Sequence, residues 1–226
     1  MPVIEINNVT LHLPIYDANE RLLRQVLFRR RTGGRISLGA SISVTALDQV
    51  SMVIEKGDRV GLIGHNGSGK STLLRLLAGV YAPTAGTVTI NGTVSALLSP
   101  GLGMDLEDTG FQNIINIGLM LGLPMREVEA RADEIAEFTE LGEYLALPVR
   151  VYSSGMQLRL AFAVVTIIEP DILLLDEGLG AGDARFIDRA QQRVSNLIDR
   201  ANVLVIATHS DGLLQQMCNK AILLEQ

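Results

Sequence analysis

The chain has 226 residues, 47% hydrophobic and 19% charged, enough for one substantial buried core and too apolar for a disordered chain. A net charge of -6 and a pI near 5.1 exclude a surface that attracts nucleic acid as a whole. The single cysteine, Cys218, excludes an intramolecular disulfide and suits a reducing cytoplasm. The start, Met1-Pro2-Val3-Ile4-Glu5, lacks the basic-then-apolar layout of a signal peptide. The most apolar windows, 114–123 and 161–168, fall short of the roughly 20 residues that span a bilayer. A role at a membrane would therefore need another component to carry the chain there.

In chain order, residues 3–6 predict a strand, followed by an irregular piece containing Pro14 and Tyr16. Residues 20–31 predict a short helix, with Leu22, Leu23, Val26 and Leu27 at helical spacing. Its other face is basic (Arg21, Arg24, Arg29, Arg30 and Arg31), and Thr32-Gly33-Gly34 ends it. Strands are predicted at 42–47 and 50–54, then a turn at Glu55-Lys56-Gly57-Asp58, then an apolar strand at 59–63. A glycine-rich loop and a helix over 71–78 follow. Residues 87–97 alternate around Asn91-Gly92, which predicts a hairpin. From Gly110 to about Leu147 the pattern is helical. After Ser153 it alternates again: a helix to Ile168, a strand at 172–175, a helix over 183–200, a strand at 203–207, a helix, and a last strand at 221–224. Strands alternating with helices predict an α/β fold with a largely parallel sheet, on which the helical stretch is an insertion.

The loop Gly64-His65-Asn66-Gly67-Ser68-Gly69-Lys70-Ser71, continued by Thr72, matches the Walker A pattern at every fixed position and lies between a predicted strand and helix. Its glycines let consecutive backbone N–H groups converge on phosphates, and the following helix adds its positive end. Lys70 is one of three lysines in the chain and can reach β and γ oxygens, while the Ser71 hydroxyl can ligate Mg²⁺. Alone, the loop fits kinases, GTPases and many ATPases.

The run Ile172-Leu173-Leu174-Leu175-Asp176-Glu177 reads as a buried strand ending in two carboxylates. Such a strand delivers both acids beside the phosphate loop, Asp176 to hold Mg²⁺ through water and Glu177 to orient and deprotonate the attacking water. His209 follows another apolar strand and would reach a γ-phosphate or the attacking water, although a lone histidine is more often structural. Tyr152-Ser153-Ser154-Gly155-Met156-Gln157 opens a helix: hydroxyls, a glycine and the helix dipole form a second anion site. Two phosphate cradles in one chain fit together if two subunits face head to tail.

With these motifs in this order, the chain resembles an ABC transporter nucleotide-binding domain over essentially its whole length. The resemblance implies a P-loop NTPase (RecA-like) core with an antiparallel β subdomain and an inserted helical subdomain. It implies one domain spanning residues 1–226: a β subdomain and Walker A region over 1–97 with an insertion at 17–46, a helical subdomain with signature loop over 98–160, and the rest of the core over 161–226. It makes residues 152–156 the signature loop, with Ser153, Ser154, Gly155 and Met156 contacting ATP, Gly180-Ala181-Gly182-Asp183 a D-loop, and His209 a switch histidine. It also implies a homodimer sandwiching two ATP molecules with Mg²⁺, each held by Lys70 of one subunit and Ser154-Gly155 of the other. Adenine stacks in this family on an upstream aromatic residue, for which Tyr16 is chosen over Phe28.

Tyr-Ser-Ser-Gly-Met in place of the commoner Leu-Ser-Gly-Gly-Gln resembles the subfamily that exports O-antigen, capsular polysaccharide and teichoic acid. Leu158-Arg159-Leu160-Ala161-Phe162-Ala163, Gly182-Asp183-Ala184-Arg185-Phe186 and the early insertion continue that likeness. The expected function is ATP hydrolysis powering polysaccharide export through a membrane permease, at the cytoplasmic face of a bacterial inner membrane. An importer or drug-exporter ATPase is the alternative, with a non-transport ABC ATPase of DNA repair or translation less favoured. Ser99 aligns with the family's Q-loop glutamine, a contact on the metal side. The basic helix over 20–31 either packs its leucines on the domain or touches the membrane surface or permease; its place in the insertion favours the second. The chain stops at Gln226, where some relatives continue into a carbohydrate-binding domain.

Overall fold

The computed structural model describes residues 2–14, 35–38, 42–97, 103–176, 184–208 and 210–225. The predicted helix over 20–31 lies outside them. The chain forms two units, Met1–Gly92 with Val203–Gln226, and Thr93–Asn202.

The first unit contains a four-stranded antiparallel sheet ordered β2-β3-β1-β5, from Pro2–Pro14 (β1), Arg35–Leu38 (β2), Ile42–Glu55 (β3) and Ala85–Ile90 (β5). β1 is longer than the predicted strand at 3–6. The alternation that marks it slips by one residue: Ile4 and Ile6 are buried, then Val9 and Leu11. A bulge absorbs the slip, with Asn8 at φ 47 and Gln49 at φ 50 where the β1–β3 register shifts. Ser51 Oγ accepts from Asn8 N at 2.8 Å and donates to Asn8 Oδ1 at 3.0 Å, which ties the bulge across the ladder. The same irregularity makes one strand, β3, of the two predicted at 42–47 and 50–54.

The parallel strands of this unit are Arg59–Ile63 (β4), Val203–Ala207 (β8) and Lys220–Leu223 (β9), with β4 paired to both others. Val60 and Leu62 are buried, and β8 is buried throughout, as a strand covered on both faces requires. Helix α1, Lys70–Leu77, buries Leu73, Leu74, Leu76 and Leu77. Asp58 anchors the start of β4: Oδ2 accepts from Glu55 N at 2.8 Å and from Lys220 Nζ at 2.6 Å.

In the second unit, Val94–Leu97 (β6) pairs in parallel with Ile172–Asp176 (β7). This overturns the predicted hairpin at Asn91-Gly92. β5 pairs with β1, Asn91 N donates to Val3 O at 2.8 Å, and β6 runs beside β7. The Asn-Gly signal marks a sharp turn, and long-range partners decide which ladder each arm joins. Asp171 fixes the start of β7, accepting from Thr93 N at 2.9 Å and from Asn202 Nδ2 at 2.8 Å.

Among the described residues of this unit the α-helices are α2 (Gly110–Met120), α3 (Met125–Thr139), α4 (Ser154–Val165) and α5 (Ala184–Arg200). Thr109 and Gln112 form a capping box at the start of α2, satisfying two of the backbone donors a helix leaves open there. Phe138 of α3, Phe162 of α4 and Phe186 of α5 meet with ring centroids 5.7–6.0 Å apart. Short 3₁₀ turns at Gly142–Ala146 and Val149–Val151 lead from α3 to α4.

Candidate functional site

The phosphate loop follows β4 directly and is shaped by its glycines. Gly64 has φ 153, and a Cβ there would lie 2.5 Å from both Leu224 O and Ser68 Oγ. Gly69 caps α1 in the left-handed region at φ 101, where a Cβ would lie 3.0 Å from Ala46 O. The loop is thus pressed between β9's end and β3. A larger residue clashes at Gly64, and at Gly69 it is strained by the left-handed backbone and crowds Ala46 O.

Ser68 N donates to His65 O at 3.1 Å, and Leu73 N to Gly69 O at 2.8 Å, so the loop passes into the first turn of α1 without a break. Lys70 is buried, and its ammonium donates to Gly64 O at 2.6 Å and His65 O at 3.1 Å. Two carbonyl groups therefore fix the cation inside the loop. His65, Asn66 and Gly67 are exposed at the tip, where His65 Nδ1 lies 2.9 Å from Asn66 O. Ser71 and Thr72 are half-buried on the first turn of α1. Ser68 Oγ is buried with no hydrogen-bond partner among the described residues. A held cation, an unpaired buried hydroxyl and a helix N-terminus together fit a polyphosphate.

In the second unit, β7 is buried from Ile172 to Leu175 and ends on a half-buried Asp176, as the apolar run predicts. Tyr152, just before the N-cap of α4, is buried, and its hydroxyl donates to Tyr144 O at 2.6 Å. Burial pushes the Tyr152 hydroxyl's pKa up, against a smaller opposing effect of a hydrogen bond with the Gly110 backbone. Ser153 is the N-cap of α4 and accepts from Met156 N at 3.3 Å. Ser153 and Ser154 are exposed, Gly155 and Met156 half-buried. A Cβ on Gly155 would meet only Ser153 Oγ, at 3.9 Å, so the helix end is open to close approach from outside.

The structure thus places Gly64 to Gly69 on one loop and Lys70 to Thr72 on the first turn of α1 that follows it, Ser153 to Met156 on one helix start, and Asp176 at a strand end. Tyr16, Ser99, Glu177, Asp183 and His209 lie outside the described residues. Sequence reasoning missed two supporting side chains. Asp58 is one; an acid in a turn carries no signal that Lys220 will pair with it. Asn113 is the other. It is fully buried in α2, where Oδ1 accepts from Asp105 N at 2.8 Å and Nδ2 donates to Asp105 O at 2.8 Å and Thr109 O at 3.0 Å. An asparagine inside an apolar helical run is a signal that could have found it.

The chain matches the ABC transporter family over residues 47–180. It is 46% identical to the O-antigen export system ATP-binding protein RfbE of Yersinia enterocolitica, across 100% of this chain and 95% of that one. It is 38% identical to the O-antigen export system ATP-binding protein RfbB of Klebsiella pneumoniae, across 99% of this chain and 90% of the relative. It is also 38% identical to the teichoic acids export ATP-binding protein TagH of Lactococcus lactis, over 78% of this chain and 38% of that protein. A solved dimeric ATP-binding cassette in a post-hydrolysis state, bound to ADP and Pi, superposes with a TM-score of 0.68 at 22% identity, covering 98% of this chain and 94% of that one. The P-loop NTPase fold expected from the sequence is the fold this likeness shows.

Proposed function

The chain belongs to the ABC transporter family, and from that premise we propose that it is the ATP-binding and ATP-hydrolysing subunit that powers export of a lipid-linked polysaccharide through a membrane permease. The observation that carries the ATPase reading is the phosphate loop, with Lys70 held inside it and Ser71 on the first turn of α1. The polymer rests on likeness: relatives matched across nearly their whole length bear O-antigen export names.

The chemistry follows from the residues. Loop N–H groups and Lys70 stabilise negative charge on the β and γ phosphates, with most of the catalytic benefit arising as charge develops in the transition state. Ser71 and Asp176 would hold Mg²⁺, directly and through water. Bound there, the ion neutralises phosphate charge and aligns the transferring group. Glu177 orients the attacking water and takes its proton, and His209 contacts the γ-phosphate. Ser99 is the metal-side contact and Tyr16 the adenine platform.

The signature loop completes the site in trans. Ser153, Ser154, Gly155 and Met156 of one subunit close on the phosphates held by Lys70 of the other, with Asp183 beside them. The working unit is therefore a homodimer, clamped by two ATP molecules and reopened by hydrolysis. Among the described residues no helix is long and apolar enough to cross a membrane, so the permease supplies the path and holds the dimer at the inner face.

The test is inorganic phosphate release by the chain reconstituted with a polysaccharide-export permease, with and without lipid-linked polysaccharide. Stimulation by the polymer is expected. Glu177→Gln in the same assay should bind ATP, slow hydrolysis by about 10²–10⁴-fold and accumulate as an ATP-bound dimer. Stimulation only by an importer permease with its solute-binding protein would overturn the export assignment.

A further inference from the structure

Glu140 ends α3 in the left-handed region, at φ 54 and ψ 27, where a residue with a Cβ is strained and glycine is not. The other described non-glycine residues with positive φ, Asn8 and Gln49, sit at the register shifts between β1 and β3. Glu140 has no ladder to accommodate. What it adds over glycine is a carboxylate placed between two helices.

Glu140 Oε1 accepts from Arg189 Nη1, and Oε2 lies 3.9 Å from Arg159 Nη1. Arg159 belongs to α4, the helix that opens at the signature loop. Arg189 belongs to α5, which begins one residue after Asp183. Each guanidinium is also seated on an aromatic ring: Arg159 lies 5.3 Å from the Phe186 centroid and Arg189 4.9 Å from that of Phe138. The Glu140 side chain is 46% exposed, and ion pairs so exposed add little to stability. Stability therefore does not account for a glutamate at a position that suits glycine.

We propose that Glu140 is a positioning residue that pins α4 to α5, so that the signature loop offered to the partner subunit moves together with α5. The proposal rests on the composite-site reading above. Together with the Phe162–Phe186 and Arg159–Phe186 contacts, this carboxylate ties the helix that opens at the trans half of one site to the helix that follows Asp183 in the chain.

The test uses the full chain with Glu140→Gly and Glu140→Lys. Glu140→Gly suits the backbone and removes the carboxylate; Glu140→Lys keeps the backbone cost and repels both arginines. Both should lower kcat for ATP hydrolysis by about tenfold, as displaced catalytic groups do, while KM and monomer ATP affinity stay within about twofold. The melting temperature of Glu140→Gly should equal or exceed that of the parent. Adding Arg189→Glu to Glu140→Lys should restore part of the lost kcat by rebuilding the pair in reverse. Parental kcat in Glu140→Gly, a kcat loss that follows a falling melting temperature, or no rescue in the double variant would each overturn the proposal. Gly155→Asp separates this from failure of the composite site: hydrolysis untouched by that change would sink the trans reading itself, whatever the Glu140 variants do.

Discussion

Lys70 Nζ donates to the carbonyl oxygen of Gly64 at 2.6 Å, so the side chain that closes the phosphate loop holds the residue that opens it. The cation fixes the loop's shape and, in the proposed site, sets a positive charge where phosphate oxygens would arrive. Because its partners are neutral carbonyl groups, it can turn toward a phosphate without leaving a buried anion behind.

Removing that cation should separate chemistry from folding. Lys70→Ala is expected to cut phosphate release by at least about 10²-fold, the scale of losing a principal transition-state donor. Its unfolding free energy should fall by no more than about 1.5–3 kcal/mol, the scale of the charge-assisted hydrogen bonds to two carbonyl groups that are lost. Turnover near the parental rate would remove Lys70 from the charge-stabilising role.

Gly64 should tolerate no side chain. In Gly64→Ala the new methyl group would lie 2.5 Å from Leu224 O, whose residue is tied to β4 through Leu224 N donating to Ile63 O at 2.8 Å. Overpacking of this kind costs about 1–3 kcal/mol, to be read from urea unfolding. Nucleotide affinity should fall as well, because relief of the clash must move the loop. Unchanged stability would mean that the strand end yields more freely than its hydrogen bond suggests.

Gly155 is predicted to behave in the opposite way. A Cβ there meets only Ser153 Oγ at 3.9 Å, and alanine is the better helix former by about 0.5–1 kcal/mol. Gly155→Ala should therefore melt at the same temperature or higher. Hydrolysis should nonetheless drop, because in the proposed dimer the methyl group would stand where a phosphate held by the partner approaches the backbone. Full activity in this variant would argue against trans engagement of the signature loop.

Asp58 gives a dependence on acid. Burial acts to raise its pKa, but the Lys220 hydrogen bond, the Glu55 N–H and the Lys220 charge together outweigh it and hold the carboxyl below its ordinary value. A carboxyl lowered in the folded state contributes stability that is present above its unfolded pKa of about 3.9 and lost as pH falls through the folded value. Lys220→Met should move the acid-unfolding midpoint to higher pH, since burial then dominates. Asp58→Asn should remove this contribution and flatten the acid limb. An acid limb identical in all three proteins would show that Asp58 is not coupled to folding.

Much of the site was legible because its parts are contiguous. A strand at 59–63 carrying Val60, Leu62 and Ile63, glycines at fixed intervals and a lysine opening a helix specify the phosphate loop locally, and the structure keeps their order. The helix start at Ser153 is legible for the same reason: a hydroxyl residue before a helical run satisfies open backbone donors wherever the helix lies. Strand 203–207 could be read from its unbroken apolar text.

Other features depend on partners far away in the chain. Nothing near Asn91-Gly92 says that β5 will pair with β1 while β6 joins β7, because a turn signal fixes local geometry and leaves the ladders open. The continuation of β1 past Ile6 was hidden by a bulge that moves the buried face by one residue. Asp58 and Lys220 are 162 positions apart, and only the pairing of β4 with β9 makes them an ion pair. The order of loop, Lys70 and helix and the Ser153 cap could be read from the residues alone, since those depend on neighbouring residues and backbone geometry. Tertiary structure alone decided which strands meet and that Glu140 faces two arginines, because those depend on surfaces that exist only once the chain has packed.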